Sequence, residues 1–289
     1  ATTDCSNSIM TTITLPSPAK LNLFLHITGQ RADGYHNLQT IFQFVDYADT
    51  LTFTLREDGM ITLSPALADI ASQDNLIVKA ARLLQQQSQS QLGVDIHLNK
   101  IIPMGAGLGG GSSNAATTLL ALNILWNLHW PNEKLAQLGL SLGADVPIFV
   151  YGRAAWAEGV GEALTPLELP EPVYVVLKPD CKIGTREIFT HPALTRNTPP
   201  ITVSPHAAQH GQNDCEAIVS ELYPPVQNAL LWLRQYGNAK LTGTGCCIFV
   251  DCSTVEQANK ILAKSTVDGF VTRGYNLSPA HKALQKYLS

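Results

Sequence analysis

The segment best suited to chemistry is rich in glycine and runs from Pro103 to Thr117 as PMGAGLGGGSSNAAT. Five of the seven residues at 105–111 are glycines, and they lie between a predicted strand and a predicted helix. Glycine allows backbone conformations in which several N–H groups point into one concavity, beside the positive end of the helix. The segment therefore predicts a phosphate-binding loop rather than a flexible linker, since linkers rarely open directly into an apolar helix.

Three familiar glycine motifs fit this segment poorly. A Walker A loop would need lysine where Gly111 stands. Gly105, Gly107 and Gly110 match G-x-G-x-x-G, but a dinucleotide fold needs an acidic residue at a strand end about 20 residues on, and Glu133 lies at a predicted helix start. The V-A-I-K, H-R-D and D-F-G segments of protein kinases do not occur in the sequence. The segment thus predicts another class of nucleotide loop.

A lysine and an aspartate far apart in the sequence are candidates for handling charge. Lys20 and Asn22 share one face of a predicted half-buried strand, because apolar residues alternate with them through 21–27. Asp145 follows a predicted helix and precedes an apolar run, 146–151, that predicts a strand. By spacing alone, a solvated lysine and a turn aspartate are the simpler interpretations.

These residues belong to a chain of 289 residues and 31.2 kDa, which predicts two domains. With 45% hydrophobic and 15% charged residues, it can build a core. A net charge of −4 with 19 lysines and arginines argues against a nucleic-acid partner. No apolar stretch approaches the ~20 residues of a membrane span, and no secretory signal is evident. Six cysteines without C-x-x-C spacing indicate reduced thiols, so we expect a cytoplasmic protein.

The predicted elements change character along the chain. The start is rich in strands, and Asp74 is the predicted cap of the first helix. A Pro-containing polar stretch, 194–212, predicts a functional lid or a mobile loop. We predict domains of 1–165 and 166–289. The second half reads as the ferredoxin-like β-α-β-β-α-β motif, with strands near 173–177, 240–242, 248–251 and 270–273 and helices over 216–236 and 255–264.

Three motifs together resemble those of the GHMP kinases, which phosphorylate small alcohols. Their first motif resembles PAKLNL at 18–23 together with GYH at 34–36. The glycine-rich segment resembles their second motif, and LTGTGC at 241–246 resembles their third. With GADVP at 143–147, they are similar to the branch whose acceptor alcohol carries a cytidine diphosphate. The similarity extends from about Pro16 to His281. It implies an α+β fold of two domains, an N-terminal ribosomal protein S5 domain 2-like α/β domain and a C-terminal ferredoxin-like domain.

The resemblance also implies an ATP-dependent kinase that uses Mg²⁺, with Asp145 as catalytic base and Lys20 as its charged partner. An ammonium beside a carboxylate makes a weak base toward an alcohol. We therefore expect Asp145 to orient the hydroxyl and take its proton late. The metal ligands stay open, although Ser112, Ser113 and Thr117 are nearby hydroxyls. The expected ATP-binding residues are Asn75, Pro103, Met104, Gly105, Ala106, Gly107, Leu108, Gly109, Gly110, Gly111, Ser112 and Ser113.

For the acceptor, the resemblance implies that Tyr35 stacks on the cytosine, that His36 hydrogen-bonds its edge and that Phe189 covers the other face. Asn22 and Thr185 are the expected contacts toward the phosphate and alcohol end. The expected partners are small molecules only, with no nucleic acid and no membrane, and the protein is expected to be a monomer or weak homodimer. Two alternatives stay open, namely another small-alcohol kinase of the family and a non-catalytic sensor with the same fold. A dehydrogenase is a more remote one.

Overall fold

The computed structural model describes residues 10–67 and 70–288. Its first two strands, β1 (Thr12–Gln30) and β2 (His36–Arg56), form a long antiparallel hairpin in which Lys20 lies opposite Phe44. Lys20 and Asn22 do share a face, but both are buried, with 2% and 3% of their surface exposed. The prediction of a half-buried strand was wrong because other segments of the chain cover the polar face.

The first half of the chain packs helices onto this hairpin. Antiparallel to β2 lie β4 (Gly93–Asn99) and β5 (Ala155–Glu158), with β3 (Ile61–Ser64) and β6 (Ala163–Pro166) at the edges. The helix that follows the glycine-rich segment is nearly all buried, so it forms the centre of this half. The helices are α1 (Leu76–Ser88), α2 (Gly110–Leu125), α3 (Asn132–Leu140) and α4 (Val146–Tyr151).

The second half contains the predicted split motif. Its strands, β7 (Val173–Leu177), β8 (Lys240–Leu241), β9 (Ile248–Cys252) and β10 (Gly269–Tyr275), lie in the order β10-β7-β9-β8. β10 also pairs with β2, so the strands form one sheet. The helices are α5 (Thr185–Thr190), α6 (Ala207–His210), α7 (Glu216–Leu222), α8 (Pro224–Leu233), α9 (Val255–Lys264) and α10 (Pro279–Leu284).

Three predicted details were wrong. The run 146–151 is a helix, because a short apolar run does not distinguish a strand from a buried helix, and Pro147 suits a helical first turn. The helix predicted over 216–236 is two helices, since Pro224 lacks an N–H and disfavours helical geometry before it. The cap of α1 is Asn75, not Asp74, and its side chain accepts from the Ile77 N–H at 2.9 Å.

Two hydrophobic clusters hold the elements together. One lies under β7, β9, α7 and α8 and includes Leu21 and Phe24 of β1, and the other joins β2 and β4 to α1, α2 and α4. The domain boundary after residue 165 stays a prediction, and β6 spans it. Within the described part of the chain, no helix is both long and apolar enough to cross a bilayer.

Candidate active site

The glycine-rich loop is held between β1 and the turn that joins β8 to β9. The Leu108 carbonyl accepts from the Lys20 N–H at 3.0 Å, and the Ala106 carbonyl accepts from the Cys247 N–H at 3.1 Å. Gly107 has φ +77°, and a Cβ there would lie 2.1 Å from the Thr242 carbonyl oxygen. Contacts this close leave no room for a side chain, which explains glycine at this position.

The loop ends at the N-terminus of α2. Gly109 has φ +71° and precedes the first helical residue, Gly110. The N–H groups in the first turn of a helix have no partner within the helix, and the helix dipole makes this end positive. Gly109, Gly110, Gly111 and Ser112 line a cavity, so these donors border a space that can receive a phosphate.

The tertiary structure brings Lys20 and Asp145 together. The Lys20 Nζ lies 3.3 Å from the Asp145 Oδ2, and the two side chains are 3% and 34% exposed. Lys20 also donates to the Gly107 carbonyl at 3.0 Å and to the Asn22 Oδ1 at 2.5 Å. A buried ammonium is therefore fixed by three oxygens, and the more exposed carboxylate faces the cavity.

Asn22 is oriented by two threonines. Its side-chain Nδ2 donates to the Thr40 Oγ1 at 3.0 Å, and its backbone N–H donates to the Thr242 Oγ1, also at 3.0 Å. The Thr242 hydroxyl in turn donates to the Gly107 carbonyl at 3.2 Å. The first, second and third motifs thus meet in one hydrogen-bonded network beneath the cavity.

The cavity has a volume of about 570 Å³ and opens to solvent. That volume falls in the range of small-molecule sites. Leu108 and Ser113 were expected at the nucleotide but do not line it, because Leu108 is buried and the Ser113 hydroxyl bonds to the Ser17 hydroxyl at 2.9 Å. The predicted residues that do line it are Lys20, Asn22, Tyr35, His36, Asn75, Pro103, Met104, Gly105, Ala106, Gly107, Gly109, Gly110, Gly111, Ser112, Asp145, Thr185 and Phe189.

One end of the cavity is aromatic. Tyr35, in the turn after β1, is 62% exposed. The His36 ring lies 5.2 Å from the Phe189 ring, centroid to centroid, at 30°. Burial, and next the charge of Arg196, lower the pKa of His36 below its usual value. Thr185 and Thr244 also line the cavity, and their hydroxyls lie 3.1 Å apart.

The other end is bordered by α1 and by residues that the sequence analysis missed. Asn75 is 7% exposed, and its Oδ1 accepts the capping hydrogen bond from the Ile77 N–H. Lys100 lines the cavity, and its Nζ donates to the fully buried Asp49 Oδ2 at 2.7 Å. The Asn114 Nδ2 donates to the same oxygen at 2.9 Å. A lysine three residues before Pro103, at the end of the predicted strand, was the available signal for this cluster.

The residues at the cavity fit a Mg²⁺ ion that arrives with a polyphosphate. In residues 10–67 and 70–288, no group of three His, Cys, Asp or Glu side chains could hold a metal by itself. The Asp145 carboxylate and the Ser112 hydroxyl both line the cavity near the start of α2. Mg²⁺ typically keeps several waters and binds through one or two carboxylates plus substrate phosphates, so a protein cage is not required.

Comparisons with known proteins agree with this geometry. The family described as "GHMP kinases N terminal domain" matches residues 75–153. A "4-diphosphocytidyl-2-C-methyl-D-erythritol kinase" of Pseudomonas fluorescens (strain Pf0-1) is 56% identical over 96% of this chain and 98% of its own length. Its namesake from Pseudomonas entomophila (strain L48) is 53% identical over 96% and 98%.

Solved structures share the fold. The crystal structure of a 4-(cytidine 5'-diphospho)-2C-methyl-D-erythritol kinase superposes with a TM-score of 0.78 at 30% identity, covering 91% of this chain and 99% of the other. A mevalonate kinase has a TM-score of 0.67 at 17% identity over 91% of this chain and 99% of its own, which shows the fold alone.

Fold, loop and matched family together define a small-molecule kinase of the GHMP class. Sequence identity above 50% to the two Pseudomonas proteins, over nearly the whole length, identifies the family within this class. The chain belongs to the family of 4-diphosphocytidyl-2-C-methyl-D-erythritol kinases.

Proposed function

We propose that the protein transfers the γ-phosphoryl group of ATP to the 2-hydroxyl of 4-diphosphocytidyl-2-C-methyl-D-erythritol, in the non-mevalonate route to isoprenoids. The observation that carries this proposal is the Lys20–Asp145 pair, 3.3 Å apart, beside the glycine-rich loop. The names of the close relatives support the choice of alcohol.

ATP binds with its phosphates at the loop and at the start of α2. Support comes from the N–H groups of the first helical turn and the glycines that line the cavity there. The loop residues from Pro103 to Ser112 that line the cavity, all but Leu108, form the nucleotide side together with the neighbourhood of Asn75. When bound, Mg²⁺ would neutralise part of the phosphate charge. The nucleotide phosphates would hold it, with the Asp145 carboxylate and the Ser112 hydroxyl as the available protein groups.

Asp145 positions the acceptor hydroxyl and Lys20 balances charge. The new bond joins the hydroxyl oxygen to the γ-phosphorus, and the bond between that phosphorus and the β–γ bridging oxygen breaks to release ADP. Because the transition state is largely metaphosphate-like, the hydroxyl proton leaves late, to an Asp145 carboxylate oxygen. Lys20, held by Asn22 and the Gly107 carbonyl, stabilises negative charge on the moving phosphoryl group.

The alcohol binds with its cytosine at the aromatic end. Stacking on Tyr35 and Phe189 buries flat apolar surface at small entropic cost, and the His36 ring is available to the edge of the base. Asn22, which accepts from Lys20, and Thr185 also line the cavity, and we assign them contacts to the phosphate or alcohol groups.

An assay of ADP release across alcohols tests the proposal. The cytidine diphosphate alcohol should be turned over with the highest kcat/KM, and galactose, homoserine and mevalonate should be poor acceptors. A preference for one of these three would favour another GHMP kinase instead. Nucleotide binding without ADP release from any alcohol would indicate a sensor.

The proposal also covers the cellular location, the partners, the oligomeric state and the domains. We expect a cytoplasmic enzyme with small-molecule partners only, acting as a monomer or weak homodimer, with an N-terminal domain of 1–165 and a C-terminal domain of 166–289. The net charge of −4 supports the absence of a nucleic-acid partner.

A further inference from the structure

Arg196 lies outside the three motifs, in the segment between α5 and α6, yet its side chain ties two cavity residues together. The Nε donates to the His36 Nε2 at 3.1 Å. The Nη2 donates to the Phe189 carbonyl at 2.9 Å and to the His191 carbonyl at 2.8 Å, and the Nη1 donates to the Leu194 carbonyl at 3.1 Å. All three guanidinium nitrogens are therefore engaged on this side of the cavity.

The contact with Arg196 determines where the His36 ring carries its proton. A guanidinium only donates hydrogen bonds, so the His36 Nε2 must accept and is unprotonated. Burial and the neighbouring positive charge lower the pKa of His36, which keeps the ring neutral near pH 7. A neutral imidazole has a single N–H, and in this arrangement it is at Nδ1.

This tautomer distinguishes the two pyrimidines. The Watson–Crick edge of cytosine has acceptors at N3 and O2, whereas uracil has a donor at N3. O2 is an acceptor in both bases, so the discrimination depends on position 3, where an Nδ1–H donor complements the cytosine N3 and opposes the uracil N3–H. A site built to hydrogen-bond one partner rejects an analogue that leaves its polar group unpaired. His36 lines the cavity beside Tyr35 and Phe189, where the base is proposed to bind.

We propose that Arg196 is a positioning residue that makes the site selective for cytidine over uridine, by holding the His36 ring with Nδ1 as its donor. The inference rests on the proposed function, because it assigns the aromatic end to the base. The bond to the Phe189 carbonyl lets the same side chain hold the stacking ring at a set distance from the histidine.

Steady-state kinetics with 4-diphosphocytidyl-2-C-methyl-D-erythritol and its uridine counterpart test this role. Arg196→Met should lower the preference for cytidine, as the ratio of the two kcat/KM values, about 10-fold or more. The loss should come from a higher KM for the cytidine substrate, with kcat within about threefold of wild type. Phe189→Leu is the matched control, since weaker stacking should raise both KM values alike and leave the ratio unchanged. An Arg196→Met variant that also raises both alike would overturn the proposal.

The tautomer can be read without substrate, from the ¹⁵N shifts of the His36 ring in the wild-type protein at pH 7.5. We expect a protonated Nδ1 and an unprotonated Nε2, and a proton on Nε2 would refute the role of Arg196 even if the methionine variant fails to fold. If the wild type does not turn over the cytidine alcohol, the proposed function fails. The ¹⁵N shifts would still show, independently of activity, whether Arg196 holds the His36 ring in the proposed tautomer.

Discussion

At the scale of single residues, the site pairs a buried cation with a more accessible anion. The Lys20 side chain is 3% exposed and fixed by the Gly107 carbonyl and Asn22, whereas the Asp145 side chain is 34% exposed. The lysine is thus the immobile member, and the carboxylate is the one that an incoming hydroxyl can reach. This asymmetry suits late proton transfer, because the aspartate can accept a proton without leaving the site.

We predict that Asp145→Asn lowers kcat about 10²- to 10⁴-fold, because an amide cannot accept the hydroxyl proton. The KM for ATP should change little, and so should the melting temperature, since the side chain is partly exposed. ADP release and a thermal melt measure both effects. Asp58→Asn, in the exposed turn after β2, removes the same charge far from the cavity and should leave kcat unchanged. A variant at position 145 with most of the wild-type kcat would remove Asp145 from the mechanism.

At the scale of elements, one buried carboxylate joins β2, the end of β4 and α2. Asp49 is fully buried, and its Oδ1 accepts from the Ile101 and Ile102 N–H groups at 2.7 and 2.8 Å. Its Oδ2 accepts from Lys100 and Asn114. Every donor that surrounds the carboxylate is thereby satisfied, which anchors the segment leading into the glycine-rich loop.

Replacement of Asp49 by Asn should destabilise the protein by about 3–5 kcal/mol, because it leaves the Lys100 ammonium without its counter-charge and sets an NH₂ group among donors. The free energy of unfolding in urea measures the loss. Glu256→Gln is the matched control, since this glutamate is paired to Lys260 on the surface of α9, and it should leave stability unchanged. Equal stability of the two variants would contradict the anchoring role.

The glycine-rich loop supports a second prediction at this scale. Gly107→Ala should destabilise the protein by roughly 1–3 kcal/mol or more, because the new Cβ would meet the Thr242 carbonyl at a left-handed φ. Gly111→Ala should be near neutral in stability, since its Cβ would meet only the Leu76 Cδ1 at 3.5 Å. Thermal unfolding of the two variants makes the comparison, and a reversed order of stability would show that the loop is not held as described.

At the scale of the whole molecule, the cavity is walled by residues from both halves of the chain. β10 pairs with β2, and the His281 Nε2 of α10 donates to the Val150 carbonyl, 2.8 Å away, at the end of α4. The His281 ring also packs over Gly152, where a Cβ would lie 2.3 Å from it. The end of the chain thus closes onto the first half and fixes the walls relative to each other.

We predict that the protein loses stability as the pH falls below about 6.5. Burial is the main cause that lowers the pKa of His26, His36 and His281 in the fold. The unfolded chain therefore binds protons first on acidification, so each histidine costs up to about 1.4 kcal/mol per pH unit between its unfolded and folded pKa.

Urea unfolding at pH 7.5 and 5.5 measures this loss. His281→Gln should reduce the difference between the two pH values, because it removes one of the three groups. His206→Gln is the control, since this histidine is exposed and should not alter the difference. A wild-type protein equally stable at both pH values would contradict the prediction.

Much of the fold was predictable because it depends on local pattern. Alternating apolar residues marked β1, glycines marked the loop before α2, and the order of elements marked the split motif of β7 to β10. The run at 146–151 was misassigned because a short, fully buried segment has no amphipathic period. Asp49, Lys100 and Arg196 were missed because a single charged residue carries no sign of its partner.

The sequence by itself determined the class of protein, since the three motifs and their order need no coordinates to be recognised. Glycine, proline and capping residues are local signals in the sequence, because their effects act within a few residues, although the roles of Asn75, Pro147 and Pro224 became evident only in the structure. Only the tertiary structure decided that Lys20 meets Asp145 and that Arg196 holds His36. Contacts between distant positions depend on how whole elements pack. Many side chains contribute to the free energy of that packing, so the two residues in contact do not determine it by themselves.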